Sequence, residues 1–117
     1  MRATGITANL RVSSIETARN FYTDYLGLSS EDFNLGWVAG FGSPDRRANI
    51  QLVTRDETAP HDSVISVNTD DIEQAYQEAQ QRGYEIVYPI TTEPWGVRRF
   101  FVRAPDGNVI NIVNHSD

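Results

Sequence analysis

Few side chains in this chain can do covalent chemistry. Its 117 residues include no cysteine and no lysine, so all ten cationic side chains are arginine. Thiolate nucleophiles, thiolate metal sites, Schiff bases and a lysine general base are thereby excluded. No G-x-S-x-G turn offers a strained serine, and no phosphate loop or dinucleotide fingerprint occurs. Asp56-Glu57 and Asp70-Asp71 look like paired carboxylates, but adjacent residues point apart; the first pair reads as loop and the second as a helix cap. Of the two histidines, His61 reads as a loop residue facing water, and His115 as a solvated residue in a fraying tail. What remains is binding chemistry. Trp37, Phe41, Trp95 and Phe101 offer flat stacking area at low entropic cost. Arg99 offers a fork for a carboxylate, a phosphate or a ring, while Gln51 and Asn111 supply neutral donors and acceptors. Phe41 suits the core equally well, and Arg99 could instead pair with an acidic neighbour across the sheet. Trp95 is the best placed, because Pro94 and Gly96 hold it in a turn.

The elements that must position these residues centre on positions 93–114. Val97 to Arg103 and Asn108 to Val113 are β-branched and aromatic runs separated by Ala104-Pro105-Asp106-Gly107. Proline presets φ for a type I turn and glycine takes the positive φ that follows, so the stretch reads as a tight hairpin. If Arg103 faces Val109, then Phe101 faces Asn111 and Arg99 faces Val113. Alternation collects these six on one mixed face, where a ligand would sit. Phe100, Val102, Ile110 and Ile112 form the other face, which is apolar and predicts the core.

Residues 4–12 alternate as a first strand. A helix opens at Ser13 with Glu16 in capping-box spacing, carries the stripe Ile15, Ala18, Tyr22 and Tyr25, and stops at Gly27. Short strands follow at 31–34, 37–42 and 48–54, with Ser43-Pro44-Asp45 as a turn between the last two. After a polar linker at 55–63 the plan repeats. A strand at 64–68 leads to a helix opened by Asp70 and Glu73, with the stripe Ile72, Ala75, Tyr76 and Ala79 and a stop at Gly83. A strand at 85–90 and the hairpin complete it. Ile15-Glu16-Thr17-Ala18 matches Ile72-Glu73-Gln74-Ala75, and Gln51 falls where Asn111 falls. The expected fold is therefore α+β: two tandem βαβββ modules, about 4–54 and about 62–114, in a single domain spanning 1–117. Their sheets are expected to join into a curved mixed sheet with an inner cleft and the helices outside.

A hydrophobic share of 39% suits a globular chain, and the net charge of −6 argues against a nucleic-acid partner. No apolar run is long enough to span a bilayer and no signal-peptide pattern opens the chain, so no membrane partner is expected and a cytoplasmic location is the default.

The segments LRVSSIETARNFYTDYLGL (10–28) and EPWGVRRFFVRAPDGNVINIV (93–113), supported by the helix after Val67, resemble the vicinal oxygen chelate superfamily. That superfamily contains glyoxalase I, extradiol dioxygenases, fosfomycin-modifying enzymes and bleomycin-resistance proteins. The resemblance covers nearly the whole chain; its PDGN turn is fairly specific for the superfamily and poorly specific for any one member. Members with metal chemistry use four inward-facing ligands, and the resemblance puts those positions at Thr7, Gln51, Asp62 and Asn111. One carboxylate, two amides and a hydroxyl make a poor set for a hard divalent cation. The expectation is thus a non-catalytic binder of a small molecule, such as an antibiotic, similar to the bleomycin-resistance branch, acting as a homodimer without metal or cofactor. The alternative is a metal-dependent lyase or dioxygenase with an unusual set built from His61, Asp62 and a partner chain.

Overall fold

The computed structural model describes residues 1–115. The fold is mixed α+β, and a β-α-β-β-β pattern runs through it twice. The first pass holds strand β1 (Gly5–Arg11), helix α1 (Ile15–Asn20), and strands β2 (Ser30–Asn34), β3 (Val38–Gly42) and β4 (Asn49–Val53). The second holds β5 (Ile65–Asn68), α2 (Ile72–Gln81), β6 (Glu85–Thr92), β7 (Val97–Arg103) and β8 (Val109–His115). The chain divides into two compact units, one of residues Thr7–Thr58, the other of Met1–Ile6 with the chain from Ala59 onward. Among the described residues no helix is long and apolar enough to cross a membrane.

Strand pairing repeats as faithfully as element order. Within Thr7–Thr58, β2 pairs antiparallel with β3, β3 with β4, and β4 runs parallel to β1. In the Ala59 unit, β6 pairs antiparallel with β7, β7 with β8, and β8 runs parallel to β5. Each unit packs its helix on one sheet face. Ile15, Leu28, Ala39, Phe41 and Leu52 form one core cluster. Val67, Ile72, Ala75, Ala79, Phe100 and Ile112 form the other, with Val102 and Ile110 against it. The apolar face expected of the hairpin is thus the face that α2 covers. Phe100 is fully buried there, with Tyr76 edge-on at 5.0 Å; burying such a side chain stabilises by roughly 1.5–3 kcal/mol.

Both helices begin one residue later than the sequence suggests. Ser14, not Ser13, caps α1 by accepting from Thr17 N, and Asp71, not Asp70, caps α2 by accepting from Gln74 N. Each cap is one of two adjacent candidates, and the choice follows from burying Ile15 and Ile72 as the first helical residues. Helix α2 closes as a Schellman motif, with Tyr84 N bonded to Ala79 O, Gly83 N to Gln80 O, and Gly83 at φ 73°. Helix α1 instead widens into a π-helical turn at Phe21–Tyr25, where Leu26 N reaches Phe21 O. That wider turn takes the apolar stripe out of phase. Ile15, Ala18 and Tyr22 join the core, but Tyr25 is 79% exposed.

Three turns share one design. Glu93-Pro94-Trp95-Gly96, Ala104-Pro105-Asp106-Gly107 and Ser43-Pro44-Asp45-Arg46 each bond the fourth N–H to the first carbonyl, at 3.0, 2.8 and 3.0 Å. The fourth residue takes a positive φ of 97°, 96° and 60° respectively. Glycine meets this freely in the first two. Arg46 takes it at a cost of roughly 1 kcal/mol.

Candidate functional site

The site-forming face of the Ala59 unit follows from the hairpin register. Arg103 lies opposite Val109, Phe101 opposite Asn111 and Arg99 opposite Val113, as the turn predicts. That face is less open than the sequence implied: Phe101 is fully buried and Arg99 is 4% exposed. Part of its cover comes from the neighbouring hairpin. The Pro94–Gly96 turn carries Glu93 and Trp95 back over β7, and Tyr88 on β6 pairs in register with Phe101. Tyr88 and Phe101 meet edge-on at 5.5 Å.

Arg99 sits at the centre of this group. Its Nε donates to Glu93 Oε2 at 2.7 Å, and both side chains are buried. The guanidinium carbon lies 4.9 Å from the Phe101 ring centre, 5.3 Å from Trp95 and 5.4 Å from Tyr88. The Tyr88 hydroxyl donates to the same carboxylate, 3.2 Å from Oε2 and 3.3 Å from Oε1. Arg99 is therefore not an open fork for a ligand carboxylate or phosphate. A desolvated cation needs a carboxylate, and Glu93 provides it six residues earlier across a tight turn. The rings add cation–π attraction at a site where water does not screen it.

Asn111 belongs to the same face but to different chemistry. It is 8% exposed, and its Nδ2 donates to Ser66 Oγ at 3.0 Å. Its Oδ1 is buried with no hydrogen-bond partner, and so is Oδ1 of Asn68. Ser66 pairs with Asn111 and Asn68 with Val113, so strand alternation puts all three polar side chains on one face of β5 and β8. Asn68 fits because Gly5 lacks a side chain; a Cβ there would stand 3.2 Å from Asn68 Nδ2.

In the Thr7–Thr58 unit the expected residues separate. Gln51 is half-buried, paired with Gly40 on β3 and with Asn9 on β1. Phe41 is fully buried in the helix-side core, with the Arg19 guanidinium 5.5 Å over its ring, so it packs the core and lines no binding face. The odd-even count from Gln51 across β3 explains this: Gly40, not Phe41, shares Gln51's face. Trp37 is half-buried just before β3, and its carbonyl accepts from Thr54 N and Oγ1 at 2.9 and 3.2 Å. The Thr7 hydroxyl donates to Asn49 Oδ1 at 2.7 Å.

Asp62 precedes β5 instead of lying on it, so alternation does not aim it anywhere. Thr7 stands two residues before Asn9, the partner of Gln51; the same step back from Ser66, the partner of Asn111, arrives at Val64. His61 is exposed in an irregular segment, as the loop reading expected. His115 is exposed too, as a solvated residue should be, and it ends β8 in register with Val97.

Sequence reasoning missed Tyr88, Glu93, Ser66 and Asn68 as members of the site. Tyr88 was hidden because two register shifts in the β6–β7 ladder, between Ile86 and Tyr88 and between Tyr88 and Thr91, break simple alternation. Glu93 had a signal in the Pro-x-Gly turn that folds it toward Arg99.

The sequence profile of the Glyoxalase/Bleomycin resistance protein/Dioxygenase superfamily matches residues 6–112. The chain belongs to that superfamily. Among curated proteins none matches this glyoxalase-superfamily chain. Solved structures do. A glyoxalase/bleomycin resistance protein/dioxygenase superfamily member from Vibrio splendidus is similar at TM-score 0.72 and 17% identity, over 94% of this chain and 97% of that one. Methylmalonyl-CoA epimerase from Mycobacterium tuberculosis is similar at TM-score 0.72 and 21% identity, over 98% and 90%. An uncharacterized protein from Methanosarcina mazei is similar at TM-score 0.71 and 22% identity, over 99% and 95%. At these identities the likeness is one of fold, and function must come from the side chains.

Proposed function

We propose that this glyoxalase-superfamily chain binds a small, flat organic molecule and does not transform it. The observation that carries the reading is the half-buried ring pair Tyr88 and Trp95, backed by the buried Phe101 beside two amide acceptors, with its central charge already neutralised by the Arg99–Glu93 pair. Aromatic walls with a few polar atoms are what a small-molecule site needs. The donor chemistry at the superfamily's metal positions supports the same reading. Thr7 spends its hydroxyl proton on Asn49, Asn111 spends its amide nitrogen on Ser66, and Gln51 is neutral. The fourth position falls on Asp62 by resemblance and on Val64 by strand register. Hard divalent cations prefer several anionic oxygens, and softer ones imidazole or thiolate, so these residues do not fit a resident metal.

Titration of a broad panel of aromatic and peptide antibiotics, followed by tryptophan fluorescence, tests the proposal. Binding is expected in the wild type, weakened roughly 30-fold by Trp95→Ala, as for an anchor worth about 2 kcal/mol. Trp37 remains as the reporter in that variant. Silence across the panel in both proteins would count against binding. Stoichiometric nickel, zinc, iron or manganese in chelator-free protein would count against the non-catalytic half.

A further inference from the structure

Among the described residues of the Ala59 unit, two buried side-chain oxygens have no hydrogen-bond donor. Asn111 Oδ1 and Asn68 Oδ1 are both buried and both unpartnered. They share a face: Asn68 stands two residues beyond Ser66 on β5, and Ser66 is the register and hydrogen-bond partner of Asn111. A buried amide oxygen with no donor is a standing cost to the fold, and native chains seldom keep one without a use. A leucine, branched at the same atom, would carry no such oxygen, though at position 111 it would also give up the bond to Ser66. Here two such oxygens lie on adjacent strands, and Asn111 stands opposite Phe101, one of the rings around Arg99. A donor from outside the chain would complete this arrangement.

The charge pattern narrows the donor. Arg99 is engaged by Glu93, and an anionic head group brought to Asn68 and Asn111 would meet carbonyl oxygens. We infer that the ligand carries a planar nitrogen head group with at least two N–H donors, of the amidine or amino-heterocycle class. Those donors satisfy Asn68 Oδ1 and Asn111 Oδ1, and the flat body lies against the half-buried Tyr88 and Trp95 rings. This rests on the binding reading above and adds the chemistry of the ligand. It also assigns Asn68 a role that neither its strand position nor the superfamily likeness supplies.

Isothermal titration of the full chain with three probes tests it: 2-aminobenzimidazole, which offers several N–H donors; 1-methylbenzimidazole, of similar shape without one; and 2-naphthoate, a flat anion. The donor probe is expected to bind, and the other two at least about tenfold more weakly, because a site built around hydrogen bonds rejects the analogue lacking them. Asn68→Leu is expected to weaken the donor probe about tenfold while the melting temperature holds or rises; Asn111→Leu, which also loses the bond to Ser66, is expected to weaken it about tenfold at a temperature where the variant stays folded. A purely structural role for the Asn68 amide would lower the melting temperature in step with binding. Asn111→Asp, which keeps an acceptor oxygen, is expected to retain the donor probe. Equal binding of the methylated probe, preferential binding of naphthoate, or unchanged binding in the leucine variants would overturn the inference while leaving a flat-ligand binder intact. Turning an amide over would exchange its unpaired acceptor for an unpaired donor, and preference for naphthoate would reveal that. Failure of all three probes, with Trp95→Ala no different from wild type, would overturn the inference together with the reading beneath it.

Discussion

Glu93 shows how a single residue decides what its neighbours can do. Its carboxylate takes the Arg99 Nε at 2.7 Å and the Tyr88 hydroxyl at 3.2 Å, converting a cation that would attract anions into part of a neutral wall. The pair is deeply buried, so breaking it is costly even though forming it gains little over an apolar pair. Glu93→Ala is expected to destabilise the chain by about 3–5 kcal/mol in urea denaturation, because Arg99 stays buried without that carboxylate. Removing both charges, as in Glu93→Leu with Arg99→Met, is expected to recover most of the loss. A Glu93→Ala cost below about 1 kcal/mol would mean that water or another acceptor replaces the carboxylate readily.

At the scale of elements, the edge strand β2 packs against β3 through a glycine. The Phe33 ring lies where a side chain on Gly40 would stand, and a register shift between Glu31 and Phe33 places it there. Gly40→Ala therefore forces the ring to move, at an expected cost of about 1–3 kcal/mol in melting experiments. Adding Phe33→Ala to that variant should cancel much of the clash, giving a coupling energy between the two sites. Additive losses would show that the ring does not depend on the bare glycine. Elements also mark where sequence patterns succeed and fail. The Ala104–Gly107 turn fixes the β7–β8 register through local φ preferences, and these do not depend on distant residues. The π-helical turn at Phe21–Tyr25 was not legible, because a helical stripe looks the same until packing pulls it out of phase.

For the molecule as a whole, acid is the condition to which folding should respond. The chain carries 16 acidic residues against ten arginines. The Ser43 hydroxyl, and then the Arg47 N–H, hold the Asp45 carboxyl below its ordinary 3.8. The Met1 ammonium holds Glu78 below its ordinary 4.5. A carboxylate whose folded pKa is depressed contributes stability above its unfolded pKa and loses it as pH falls through the folded one. Urea midpoints are thus expected to drop as pH is lowered below about 4, and Asp45→Asn should be weaker at neutral pH but fall less on acidification. An identical pH slope in the variant would remove Asp45 from the account. The same division of causes separates what was readable in the linear chain from what was not. Repeated βαβββ order, the hairpin register and the helix stops at Gly27 and Gly83 rest on neighbours in sequence, so composition and spacing sufficed. Neutralisation of Arg99, removal of Phe41 to the core and the unpartnered oxygens of Asn68 and Asn111 depend on which side chains meet across strands. Folding alone settles that, because desolvation acts on whatever the packed neighbours leave without water.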